Sequence, residues 1–99
     1  MQRIAQLLEN LKDTSKPDAV WKDAAKRLRQ IGGAEVITAL VETLTDDDKF
    51  VRARAAKALG SIRSNLAAVQ LAEALKDPDA VVRANASQAL KHISNQEIL

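Results

Sequence analysis

The residues of this chain able to do chemistry are few, and their spacing narrows the chemistry further. His92 is the single imidazole, and no cysteine is present. An imidazole acting as general acid, general base or metal ligand needs a nucleophile or further ligands converging on it. No motif around His92 nominates any, so a surface or half-buried structural histidine is expected. The run Asp46, Asp47, Asp48 offers the oxygen ligands that calcium prefers. A calcium loop, however, needs a central glycine and a terminal glutamate, and Val51 and Lys57 stand in those places. Gly32 and Gly33 follow a helical pattern rather than a strand and lack the rest of a phosphate loop, so they read as punctuation. Arg52 and Arg83 present planar forks of donors that suit anions. Each follows an aspartate by six positions, Asp46 and Asp77, and this recurrence makes tethering between turns their expected role. No catalytic residue, metal or cofactor is therefore expected. Binding is what remains, and Trp21 is either an anchor for a partner or a cover over the end of the core.

The elements that position these residues must come from a chain of 99 residues, enough for one domain and one core. Apolar residues make up 46% of it, mostly Ala, Leu, Val and Ile, with Trp21 and Phe50 as its aromatics. Side chains this small suit helices that approach closely. Without cysteine, neither a disulfide framework nor a thiolate metal site can form. Fifteen basic against 13 acidic residues leave a net charge of +2, which argues for solubility and nothing more specific. Met1 to Leu11 is broken by Arg3, Gln6 and Glu9, so it lacks the apolar stretch of a signal peptide. No segment approaches the length of a membrane span, and a cytoplasmic location is expected.

The strongest signal is internal repetition. Val51 and Arg52 return as Val82 and Arg83, a step of 31; Asp46 and Asp48 return as Asp77 and Asp79, and Leu40, Glu42 and Leu44 as Leu71, Glu73 and Leu75. Ala53, Ala55, Ala58, Leu59 and Ile62 become Ala84, Ala86, Ala89, Leu90 and Ile93. The same step backwards finds Val20, Ala24, Leu28 and Ile31, so a third copy precedes the other two, with two extra residues around Thr14, Ser15 and Lys16. A single domain over 1–99 is read as repeat 1 at 1–33, repeat 2 at 34–64, repeat 3 at 65–95, and a tail at 96–99.

Within each unit apolar residues recur at three and four, the spacing of one helix face. The first helices are expected over Arg3 to Leu11, Ala34 to Leu44 and Asn65 to Leu75. The second are expected over Pro17 to Ile31, Asp47 to Ile62 and Pro78 to Ile93. Asp77 before Pro78 predicts a cap followed by proline at the first helical position, and Asp46 holds the equivalent place. Gly60 aligns with Arg29 and Lys91, so it is expected to admit a close neighbour rather than to supply a positive φ. Hairpins this short cannot bury an apolar face alone and must stack. Leu44, Val51, Leu59, Ile62, Leu75, Val82, Leu90 and Ile93 are the expected core, each contributing about 1.5 to 3 kcal/mol if fully buried.

The run Val51, Arg52, Ala53, Arg54, Ala55, Ala56, Lys57, Ala58, Leu59, Gly60 resembles the signature of HEAT repeats. The short period is most similar to the subgroup first noted in phycobilisome lyases. The resemblance implies an all-α, right-handed α-solenoid of three HEAT-like helical hairpins. It also implies that Asp46 with Arg52, and Asp77 with Arg83, form a hydrogen-bonded ladder along the stack. The first unit departs from the pattern, with Trp21 in the arginine position.

If the second helices line the inner curve, as in that family, the contact face comprises Lys22, Asp23, Lys26 and Gln30, then Arg54, Lys57 and Ser61, then Asn85, Gln88 and His92. Its charge is graded from basic in the first two units to neutral amides in the third. The expected function is a non-catalytic protein-binding scaffold or adaptor with a groove for an acidic segment. A component or chaperone of phycobiliprotein pigment attachment is the alternative that the resemblance implies. Nucleic-acid binding is a further alternative, disfavoured because one Trp over three repeats poorly matches helical-repeat DNA glycosylases. Self-association through the solenoid ends stays open, with Ile98 and Leu99 placed to cover the last pair or to reach a second copy.

Overall fold

The computed structural model describes residues 3–95, among which six α-helices and one 3-10 turn form. Helices α1 (Ile4–Lys12) and α2 (Asp18–Ile31) make the first hairpin, and α3 (Gly33–Thr43) and α4 (Lys49–Ile62) the second. A 3-10 turn (Asn65–Ala67) leads into α5 (Ala68–Ala74), which pairs with α6 (Ala80–Asn95). Partners pack within each hairpin, and the hairpins then stack: α4 touches both α2 and α6, and α3 touches α1 and the 3-10 turn. First helices thus form one layer and second helices another. This is the all-α stack of hairpins that the 31-residue period predicts. The tail, with Ile98 and Leu99, lies outside the described residues.

The helix ends show how the turns are built. Gly32 closes α2 at φ +60°, its N–H donating to the Leu28 carbonyl at 2.9 Å, and Gly33 follows at φ +84°. Both need the left-handed region that glycine enters without steric cost. Arg63 closes α4 at φ +60°, its N–H donating to the Leu59 carbonyl. The expected starts of α4 and α6 need correction. Asp48 caps α4, accepting from the Phe50 N–H at 2.7 Å, and Asp79 caps α6, accepting from the Val81 and Val82 N–H groups at 3.0 Å each. Asp46 and Asp77, two residues earlier, instead tighten the turn, each accepting from the N–H of the capping aspartate at 2.9 Å. Pro78 consequently precedes the helix. In an Asp-x-Asp sequence both carboxylates can bond the backbone two residues on, and the second one lies next to the first helical residue.

Leu44, Val51, Leu59, Val82 and Ile93 are buried, while Ile62 and Leu90 are half-buried. Val51 and Val82 occupy like environments at 3% and 0% exposure. Leu75 does not belong to the core: it is 41% exposed, against 6% for its equivalent Leu44. The third hairpin lies over Leu44, and nothing among the described residues lies over Leu75. Between the layers the core is filled by Leu7, Leu11, Leu28, Leu40 and Leu71, and by the alanines at 24, 55, 56, 86 and 89. Those alanines let second helices approach each other.

Candidate functional site

Two edges of the stack carry polar chemistry, and they do different work. On the turn edge, Arg52 donates Nη1 to the carbonyls of Asp46 and Asp47 at 2.9 and 3.0 Å. The rest of its fork crosses to the next hairpin, Nε to Asp77 Oδ2 at 2.8 Å and Nη2 to Asp77 Oδ1 at 3.2 Å. The aspartate that Arg52 grips is therefore that of the following repeat; in its own turn it meets only backbone. Arg83 repeats the anchoring half of this arrangement, donating Nη1 to the carbonyls of Asp77 and Pro78 at 2.7 and 3.1 Å. The side chains of Arg52 and Asp77 are only 15% and 9% exposed. Burial pushes the Asp77 carboxyl up, but the Arg52 hydrogen bonds, the Asp79 N–H and the nearby Arg52 and Arg83 charges outweigh it and hold the pKa below the usual carboxylate value.

The first junction has no such rung. Trp21 occupies the arginine position and packs half-buried against the core. Arg54 reaches back from the second hairpin, its guanidinium carbon 5.2 Å from the Trp21 ring centroid and its Nη1 2.9 Å from the Leu11 carbonyl. It so places a cation at the C-terminal end of α1, where unpaired carbonyls favour one. Asn85, the equivalent of Arg54 in the third hairpin, also reaches back and donates to the Ala53 carbonyl at 3.0 Å. Both residues, expected on the contact face, thus spend polar groups on holding hairpins together. The turn of the first repeat keeps its aspartate as well. Asp13 accepts from the Ser15 N–H at 2.9 Å as Asp46 and Asp77 do from theirs, and hydrogen bonds from Ser15 lower its pKa.

On the second-helix face lie two unequal grooves. One of about 430 Å³ runs between α2 and α4, lined by Trp21, Lys22, Ala25, Lys26, Arg29, Lys57, Ala58 and Ser61. The other, of about 150 Å³, lies between α4 and α6 and is lined by Lys57, Gly60, Ser61, Asn85, Gln88 and His92 with Ala56 and Ala89. One position accounts for much of the difference. A Cβ added to Gly60 would stand 3.0 Å from both Cα and Cβ of Ala89, so the bare glycine is what lets α6 close on α4. The equivalent pair in the first junction is Arg29 and Ala58, and both line the wider groove. The first junction has an exposed arginine where the second has a glycine, and α4 packs less extensively on α2 than on α6.

The wider groove gathers Lys22, Lys26, Lys57 and Ser61 from the expected face, and adds Arg29. Among the described residues none of its four cations is paired with a carboxylate. Asp23 is turned to Arg27, Nε to Oδ2 at 2.8 Å, and lines neither groove, nor does the exposed Gln30. His92 sits half-buried in the narrow groove with its Nε2 3.1 Å from Gln88 Nε2. Arg29 escaped the sequence reading because the repeat aligns it with a glycine. The misfit of size and charge in that column was the available signal. Among the described residues no three His, Asp or Glu side chains are grouped to hold a metal ion, and no helix is long and apolar enough to cross a membrane.

The architecture and its links define a solenoid of stacked helical hairpins, the second and third of them tied by an Arg–Asp pair between their turns. A family model described as HEAT repeats matches residues 4–91, and the chain belongs to that family. Among solved structures it is similar to human deoxyhypusine hydroxylase in complex with glycerol, at 24% identity and a TM-score of 0.51. The match covers 96% of this chain and 44% of that one, and at this identity it shows the shared fold alone. The sequence has no match among curated proteins.

Proposed function

We propose that this HEAT-repeat chain is a non-catalytic protein-binding scaffold whose groove between α2 and α4 receives an acidic segment of a partner. The observation that carries this is the convergence of Lys22, Lys26, Arg29 and Lys57 on one groove with an alanine floor and a tryptophan wall. Apolar clefts with a few convergent polar groups are the usual form of a recognition site. Cations at the rim steer an acidic partner and set its register, with an attraction that salt weakens. The narrow groove beside it extends the surface with amide and imidazole groups that accept and donate hydrogen bonds. Nucleic acid is the poorer occupant, because single-strand binders stack bases on free aromatic faces and Trp21 already carries the Arg54 guanidinium. The 31-residue period and the Arg52–Asp77 rung support placing the chain in the short-repeat, lyase-type subgroup, which does not by itself assign a partner.

The test is a labelled glutamate-rich peptide titrated against the wild type and the double variant Lys26→Glu, Lys57→Glu. Both side chains are exposed, so Tm should change little while affinity falls by at least about tenfold. Undiminished binding would exclude this groove. Tighter binding of a single-stranded oligonucleotide than of the peptide would replace the reading with a nucleic-acid one.

A further inference from the structure

The groove has a direction, and the direction specifies the shape of what fits it. Its α2 wall is contributed by residues 21, 22, 25, 26 and 29, which rise about 12 Å along the helix axis at 1.5 Å per residue. The α4 wall is contributed by Lys57, Ala58 and Ser61, one turn of the neighbouring helix. The groove therefore runs along the helices rather than across the stack. Three of its cations, Lys22, Lys26 and Arg29, stand at steps of four and three, a single stripe on one face of α2. Lys57 faces that stripe from the other wall.

We infer that the occupant is an amphipathic helix of the partner, lying along the groove with carboxylates spaced i, i+4, i+7 against the α2 stripe and small apolar side chains over Ala25 and Ala58. This deepens the proposed function and rests on it. An extended segment crossing the stack meets the cations at one helix spacing only, about 8 to 10 Å, before it reaches the narrow groove, where Gly60 and Ala89 touch and the lining beyond Lys57 is uncharged. A helix laid lengthwise keeps all four cations in reach. Its carboxylates, repeating with the helical period, stay in register with a stripe of the same period. Helix-in-groove docking is an established mode of peptide recognition. Here Arg29 stands at the lip of the groove, where the second junction has the glycine that lets its helices close.

The experiment compares two peptides of identical composition, both about 14 residues long. One is lactam-stapled into a helix, because unstapled helices of this length are marginal in water, and carries Glu at i, i+4 and i+7. The other is linear, with its three Glu residues at i, i+2 and i+4. Calorimetric titration of the wild-type protein should give at least about tenfold tighter binding of the stapled helix, and Lys57→Glu should remove that advantage. Equal affinities, or tighter binding of the linear peptide, would overturn the helical occupant and leave the acidic-segment reading standing. Failure of both peptides to bind would overturn both.

Discussion

The two junctions of this solenoid are built from the same repeat and come out differently. Between the second and third hairpins the helices touch at Gly60 and Ala89, and a bidentate Arg52–Asp77 pair fastens the turns. Between the first and second, Arg29 faces Ala58 across a cationic groove, Trp21 replaces the ladder arginine, and Arg54 supplies the tie from the opposite direction. On the second-helix face one junction is closed and the other is held at its rim and open along its length; on the turn side the closed junction leaves a cavity of about 670 Å³ lined by Val41, Leu44, Arg52, Glu73, Ala74 and Pro78. A repeat protein can thus open a groove without a new element, by differing at a few positions of a copied hairpin.

The sharpest way to break this contrast is to exchange residues between the junctions. Gly60→Arg forces a long side chain into the closed junction and should cost about 3 kcal/mol, a Tm fall of more than about 10 °C by calorimetry. Arg29→Gly in the open junction should cost only about 1 kcal/mol, the helix propensity of glycine. Equal costs would mean that position 29/60 does not set the spacing. Next in size is Arg52→Ala, which strands a largely buried carboxylate and should lower stability by about 2 to 3 kcal/mol in urea titrations. Arg83→Ala, removing a side chain that among the described residues bonds only its own turn, should stay within about 0.5 kcal/mol. Losses of similar size would show that the crossing bonds to Asp77 contribute nothing.

The same pair has a pH signature. The folded Asp77 carboxyl titrates below the ordinary value, so its pairing stabilises the fold above the unfolded pKa of about 3.9 and is lost as pH falls through the lower folded value. Asp77→Asn should be less stable than the wild type at neutral pH, and the gap should narrow in acid unfolding curves. A gap independent of pH would remove the ion pair from the account. Arg54→Ala should cost about 1 to 2 kcal/mol, less than Arg52→Ala, from the lost carbonyl and ring contacts. Its Tm change separates a stacking role from one in partner binding alone.

The period of 31 made the hairpins, their stacking and most of the core legible, because core positions must repeat when equivalent surfaces are buried alike. Leu75 departs from the expected core for the same reason: periodicity reports the position in a unit, and burial also depends on whether another unit lies over it. The ladder was legible as residue types, but sequence spacing paired Arg52 with Asp46, whereas space pairs it with Asp77, 25 residues on. Lys22, Lys26 and Lys57 could be placed on a helix wheel. Arg29 stands on the same stripe of the wheel, at i+7 from Lys22, but its alignment with Gly60 drew it into the reading of helix spacing and away from the contact face. Arg54 and Asn85 looked free on the wheel because the carbonyls they reach belong to other helices.

The most direct test of the open junction as a binding site is amide chemical-shift mapping of the uniformly labelled protein during titration with the stapled acidic helix. The largest perturbations should fall on residues 21 to 29 of α2 and around Lys57 to Ser61 of α4, with the Arg52–Asp77 edge unchanged. Perturbations centred on that turn edge, or on α5, would contradict that placement.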